Sequence, residues 1–455
     1  MINSLLSNRN PYLWTLFHLA LGLSSISSRW FFVIWFYFVF FSTIFKLFRQ
    51  HSRVKLHSYI GLLSYLVSFE LLGRMANTSP LVPYEVSKYL FLILFSAGLL
   101  IFSIKTYKPG VLMSFLMLPA FLYDLSGQVK FSDIVFNGFA PLGLGIGIAF
   151  LGKIQIDLKA LHTVLRLIWY ATLSVLIFVF IKTPDFDTID FYISANFDTT
   201  GGESSNQVGS VLGLGMVLSF YSWLARLKFS GQRFLDLVIM VIFAFQGLLT
   251  FSRGGMIVGG MAMLILYFTF PKASEKEKSR SQNRKSVFYL IVALVIGFLT
   301  FQMVDKISGG KLKLRYQGET EGTVLGSREK TLNVITSNRL AIFLGDMALW
   351  QKFFITGVGI GSSKYMRKDT SMNPHVEFSR LLAEQGIPGL IYFGIFVFIG
   401  IRSSRNKIFL NHRSIMLAIY FIGFATCFHS ATRTFITPLL VSLSSMLPLP
   451  IDDSK

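Results

Sequence analysis

A chain of 455 residues that is 53% hydrophobic, holds 47 Phe and has a mean hydropathy of +0.57 is excluded as a soluble globular protein, because its apolar runs are repeatedly long enough to cross a hydrocarbon core. The formal net charge of +20 is divided among short loops and forms no basic patch with interleaved aromatics, which excludes nucleic acid as a partner. A single cysteine, Cys427, excludes an intramolecular disulfide and a multi-cysteine metal site, and reads as a small buried hydrophobe.

In chain order the candidate spans are 12–28, 30–48, 58–73, 84–104, 111–123, 133–152, 162–182, 206–224, 234–250, 254–270, 286–304, 387–402, 413–429 and 435–449. They predict an all-α polytopic integral membrane protein with about 12–14 transmembrane helices, since 111–123 is short for a crossing and the first two runs are nearly continuous. Runs of equal strength follow the first, so it reads as a span and not as a cleaved signal peptide. Every second loop is basic, as the cytoplasmic side requires. These loops carry Lys46, Arg49, Arg53 and Lys55; Lys105 and Lys108; Lys153, Lys159 and Arg166; and Arg226, Lys228 and Arg233. The last two carry Lys272, Lys276, Lys278, Arg280, Arg284 and Lys285, then Arg402, Arg405, Lys407 and Arg413. The loop 183–205 has Asp185, Asp187, Asp190, Asp198 and Glu203 with no basic residue. Both termini are therefore expected in the cytoplasm, provided that 111–123 crosses. The chain then divides into a first bundle of spans at 1–304, one large extracytoplasmic loop at 305–386 and C-terminal spans at 387–455. That loop holds twelve basic and eight acidic residues, a balance suited to an anionic ligand or to lipid headgroups.

Polar groups at span ends are costly and count as functional candidates. In FSRGGMIVGG, Arg253 sits in a tight turn between two spans, and Gly254 and Gly255 permit close approach of backbone; the alternative is an arginine that snorkels to the interface. TSNRLAIFLGDMALWQKF predicts an amphipathic helix with Leu340, Phe343, Leu344, Ala348 and Leu349 on its apolar face. Ser337 or Asn338 would cap it and place Arg339 in the first turn, where helix N–H groups favour an anion. The GVGIG at 357–361 lacks the strand and acidic residue of a nucleotide fingerprint and predicts a tight re-entry turn. Next, Asn373 and Pro374 cap a helix that Gly386 closes, with Phe378, Leu381 and Leu382 facing the membrane surface. His375 falls in its first turn, where the dipole favours a neutral imidazole fit for a general base. His429, with Arg433 near the outer end of the thirteenth span, either lines the same cavity or packs there. No catalytic motif of the zincin, nucleophile-elbow or Walker type is present, and the DFD at 185–187 is a weak metal signal.

The order of an SRGG turn, a large outer loop with an arginine opening an R-x(8–10)-W helix, then GVGIG, then H-x(5)-L-L-A-E-x-G-x-x-G leading into a span resembles the O-antigen polymerase and O-antigen ligase superfamily, over about 251–400. One departure is Val376, where that family commonly has Asn after the histidine. The resemblance implies a GT-C-like fold and a metal-independent, inverting glycosyltransferase without cofactor in the bacterial inner membrane. It would use undecaprenyl-diphosphate-linked glycans at the periplasmic face, with membrane lipid and a chain-length regulator as further partners. His375 would be the base, and Arg253 and Arg339 would hold the diphosphate. Tyr365, Arg367, Arg380 and Arg433 are the further candidates for substrate contact. A polymerase of lipopolysaccharide repeat units is the leading expectation; a ligase onto the lipid A core and a lipid-linked oligosaccharide flippase are the alternatives.

Overall fold

The computed structural model describes residues 1–7, 9–48, 53–102, 104–270, 280–368, 372, 375–405 and 410–449, with the backbone alone at 53–55, 280–290, 405 and 410–412. Asn373, Pro374 and the loop residues Arg49, Lys272, Lys276, Lys278 and Lys407 lie outside them. The protein is an all-α polytopic membrane protein, with a helix on every apolar run read from the sequence. Among the described residues six helices are long and apolar enough to cross a membrane: Arg29–Phe48, Leu56–Met75, Phe131–Leu151, Leu158–Lys182, Ser205–Leu224 and Ile387–Ser404. Val86–Ile101, Lys108–Phe121, Arg253–Thr269 and Arg413–Thr426 are apolar but shorter. The remaining runs carry Pro11–Ser27, Arg233–Leu249, Arg280–Ile307 and Ile436–Ser444.

Two sets of loops gather at opposite ends of the bundle. At one end, His57 hydrogen-bonds the Gln155 carbonyl at 2.9 Å, and Arg402 donates to the Gly152 carbonyl at 2.9 Å while lying over the Tyr107 ring. There Gln155–Ile156 also pairs in parallel with Leu447–Pro448. At the other end, Leu125 N–H donates to the Val358 carbonyl at 3.2 Å, Ser362 to Asp124 at 2.7 Å, and Thr199 to the Leu249 carbonyl at 2.6 Å. The short run 111–123 therefore connects the two ends, with Tyr107 at one and Ala120 to Leu125 at the other.

Glycine decides where the SRGG turn emerges. Gly209 and Gly213 on Ser205–Leu224 face Gly255 and Gly259 on Arg253–Thr269, each pair four residues apart. A Cβ on Gly213 would lie 2.6 Å from the Gly255 carbonyl oxygen, and one on Gly255 would lie 2.4 Å from the Gly209 carbonyl carbon. This is backbone contact between two helices of the small-x-x-x-small kind, the packing that lipid favours. Beside it runs a buried polar network that sequence reading did not find. Arg74 pairs with Glu70 at 2.5 Å and Glu85 at 3.1 Å, Lys88 pairs with Glu85 at 2.6 Å, and Glu70 accepts from Phe435 N–H at 2.9 Å. These bonds tie two helices near the N-terminus to the turn before the last helix.

Candidate active site

Arg253 and Arg339 each open a helix, Arg253–Thr269 and Arg339–Lys352, and the chain folds them onto the same short segment. Arg253 Nη2 donates to the Ile335 carbonyl at 2.7 Å and to Ser337 Oγ at 3.2 Å. Arg339 Nη1 donates to the Thr336 carbonyl at 3.2 Å, and its Nη2 to the His429 carbonyl at 3.3 Å. Ser337 and Asn338 both take positive φ, at 54° and 62°, which turns the chain sharply into the helix. Asn338 is the N-cap by position, but neither it nor Ser337 makes the expected side-chain cap bond. Two helix N-termini thus bring guanidinium groups together, and neither arginine pairs with a carboxylate among the described residues. Burial first, then the charge of Arg253, pulls Arg339 below its ordinary range.

His375 lies two residues before the helix Glu377–Gln385, whose N-cap is Val376, so the expected first-turn placement does not hold. Its carbonyl accepts from Ala431 N–H at 3.1 Å, and its Nδ1 is buried with no hydrogen-bond partner among the described residues. Burial first, then the positive charges of Arg433, Arg339 and Arg367, holds the imidazole down to about 3. The neutrality expected from a helix dipole is therefore supplied by desolvation and neighbouring cations.

His429 belongs to the same end of the bundle. Its Nδ1 donates to the Ala425 carbonyl at 3.3 Å, and its Nε2 hydrogen-bonds Ser210 Oγ at 2.9 Å. Burial first, then Arg339, lowers it to about 4. Gly254 leaves room for this ring, since a Cβ there would lie 2.5 Å from the imidazole Cγ. That close approach is a side-chain seat beside the arginines. Arg433 lies over the Phe136 ring at 5.2 Å, and burial first brings it to about 10.

The other candidates are committed to internal partners. Arg380 is 1% exposed and sits between Glu377 and Glu384, bonding the second at 2.9 Å; Glu384 also accepts from Ser363 at 2.8 Å. Arg367 is buried against Asp346 at 3.3 Å, and Asp346 accepts from Ser379 at 2.7 Å. Tyr365 donates its hydroxyl to Asp133 at 2.8 Å. Burial, only partly offset by Arg367, raises Asp346 to about 6.

These pairings also change the surface helices expected from the sequence. Glu377–Gln385 is almost wholly buried, because its charged side turns inward onto its own partners. On Arg339–Lys352 the buried residues are Ile342, Asp346 and Leu349, while Leu344 is 57% exposed. Gly386 closes its helix at φ 63° as expected. The GVGIG segment does more than turn: its Gly359 N–H bonds the Glu384 carbonyl at 3.0 Å, and its Ile360 N–H bonds the Ala120 carbonyl at 3.0 Å. It pins the buried helix to the end of the Lys108–Phe121 segment.

Residues 238–394 match the family model described as O-antigen ligase. The O-antigen ligase match covers Arg253, Arg339 and His375, and it confirms over that segment the resemblance to the O-antigen polymerase and ligase superfamily read from the motifs. His429 and Arg433 lie beyond the O-antigen ligase segment and meet it only through the fold. No curated protein and no solved structure matches the chain.

Proposed function

We propose that the protein is an inverting, metal-independent glycosyltransferase that polymerises polyprenyl-diphosphate-linked oligosaccharide repeats at the outer face of the cytoplasmic membrane. The observation that carries this reading is the pairing of Arg253 and Arg339, two guanidinium groups at helix N-termini without carboxylate partners among the described residues, with a neutral His375 in the same positive field. Cations so arranged suit a diphosphate, and a neutral imidazole suits removal of a proton.

In this mechanism His375 takes the proton of an acceptor hydroxyl as its oxygen forms a bond to the anomeric carbon. The bond from that carbon to the diphosphate oxygen breaks on the opposite face, and the electron pair leaves with the lipid diphosphate. Attack opposite the departing group inverts the anomeric centre. The arginines stabilise the charge that grows on the leaving oxygen, a contribution of roughly 3–4 kcal/mol for one such donor. Among the other candidates, Arg433 and Arg367 contribute to the field at His375, while Arg380 and Tyr365 hold the frame.

A second reading, transfer of a finished glycan to the lipid A core, is favoured by the ligase description of the matched family. Purified full-length protein given a lipid-linked repeat and no core acceptor separates the two. Chain growth is the expected result. No growth, together with transfer once lipid A core is added, would overturn the polymerase reading and leave the ligase.

A further inference from the structure

Tyr84 lies in the loop that follows the Leu56–Met75 helix, and an aromatic ring at a span end reads from sequence as an interfacial anchor. The fold gives it another setting. The Arg74 guanidinium lies 4.3 Å from the centre of the ring, Arg74 Nε donates to the Tyr84 carbonyl at 2.9 Å, and the Tyr84 hydroxyl donates to Glu203 Oε2 at 3.0 Å. Backbone, ring edge and one ring face are therefore fixed. Arg74 is itself held, because it donates to Gln207 at 2.7 Å and pairs with Glu70 and Glu85 in the buried network. Tyr84 nevertheless remains 46% exposed, so the ring stays open on the side away from Arg74.

Glu203 completes the seat. Its second carboxylate oxygen has no hydrogen-bond partner among the described residues, and an ionised carboxylate only accepts. A fixed aromatic ring beside such a group suits a sugar: C–H groups on one face of the sugar pack against the ring, and hydroxyls at its edge donate to the carboxylate. A phosphate is disfavoured there, since Glu203 and Glu85 bring negative charge to the stack and Arg74 is already paired. The platform joins the candidate base through one short turn. Arg74 Nη2 donates to the Arg433 carbonyl at 3.3 Å, and two residues earlier Ala431 N–H donates to the His375 carbonyl at 3.1 Å. Residues 431–433 reach at most about 11 Å when fully extended, a length that a few linked sugars cover.

We infer that Tyr84 and Glu203 form an acceptor subsite, a seat for a phosphate-free sugar of the acceptor oligosaccharide. This rests on the glycosyltransferase reading above and gives its second substrate a place. Because Arg74 and Glu203 hold the ring before any ligand arrives, little side-chain freedom is lost on binding.

The probe is the lipid-free oligosaccharide released from the lipid-linked repeat by mild acid, and its binding to full-length protein in nanodiscs is followed by saturation-transfer NMR. Wild type, Tyr84→Ala, Tyr84→Phe and Glu203→Gln are compared, with undecaprenyl diphosphate binding measured on the same samples. Tyr84→Ala is expected to weaken oligosaccharide binding at least about tenfold, and Tyr84→Phe, which keeps the ring and loses its bond to Glu203, by a smaller factor. Glu203→Gln should weaken it as well, and undecaprenyl diphosphate should bind all four proteins alike. Glu203 is partly exposed on a loop, so its variant keeps the test decisive should Tyr84→Ala fail to fold. Wild-type oligosaccharide affinity in the folded Tyr84→Ala and Glu203→Gln variants, or no binding by the wild type, would overturn the inference alone. Binding that depends on Tyr84, with no undecaprenyl diphosphate released from the lipid-linked repeat by the wild type, would overturn the glycosyltransferase reading and the acceptor role with it.

Discussion

At His375, neutrality is a property of the neighbourhood: burial and the charges of Arg433, Arg339 and Arg367 keep the free imidazole deprotonated down to about pH 3. A bound diphosphate would cancel much of that positive charge and let the imidazole rise toward its ordinary value. The base form exists only above the pKa, and kcat/KM reports the free protein while kcat reports the complex. The acid limb of kcat should therefore lie at higher pH than that of kcat/KM, as pH–rate profiles on the purified protein would show. Coincident limbs, or a kcat limb at lower pH, would contradict this account of His375. Arg253, Arg339 and His375 were legible in the sequence because each stands in a short patterned context of glycines, caps or span ends. Arg367 and Arg380 looked equally available, since composition alone does not show where a partner sits. The spacing of Glu377, Arg380 and Glu384 nevertheless spells a helical ion triad, and that signal was present.

The helix Glu377–Gln385 shows how an element can be recognised and yet misplaced. Its period and its closing glycine were readable, but it buries its charged face as well as its apolar one, because Arg380 meets two carboxylates and Asp346 meets Arg367 nearby. Replacing Arg380 by Met should leave Glu377 and Glu384 buried without a cation and cost about 3–5 kcal/mol. Thermal unfolding in detergent checks this, with a clear drop in Tm expected. An unchanged Tm with activity lost would instead make Arg380 a substrate contact. The Arg253–Thr269 helix is set by backbone contact at Gly209, Gly213, Gly255 and Gly259, which the sequence spelled as pairs four apart on two separate runs. The pairing between those runs needed the fold. The same holds for the network of Glu70, Arg74, Glu85 and Lys88, whose members come from different helices.

Across the whole molecule, hydropathy placed the helices, and alternating charge sorted their loops into two sets, of which the described members gather at opposite ends. Which end faces the cytoplasm is carried by the positive-inside argument, so labelling should decide it. The variants Asp187→Cys and Lys153→Cys each add one thiol at an exposed position of one end, and the native Cys427 is buried. An impermeant thiol reagent added to cells with a permeable outer membrane is expected to label the Asp187→Cys variant and spare the Lys153→Cys variant; the reverse pattern would invert the topology. The transferase and a flippase share the spans and the cations, but only the transferase breaks a sugar–phosphate bond. Release of undecaprenyl diphosphate from a lipid-linked repeat unit supplied as both donor and acceptor, by wild type and by His375→Ala in nanodiscs, is the most direct measurement. The account predicts steady release by the wild type and a loss of about 10²–10⁴-fold in the variant, with lipid diphosphate still bound. Undiminished release without His375, or passage of intact donor across the bilayer with no bond broken by the wild type, would contradict it.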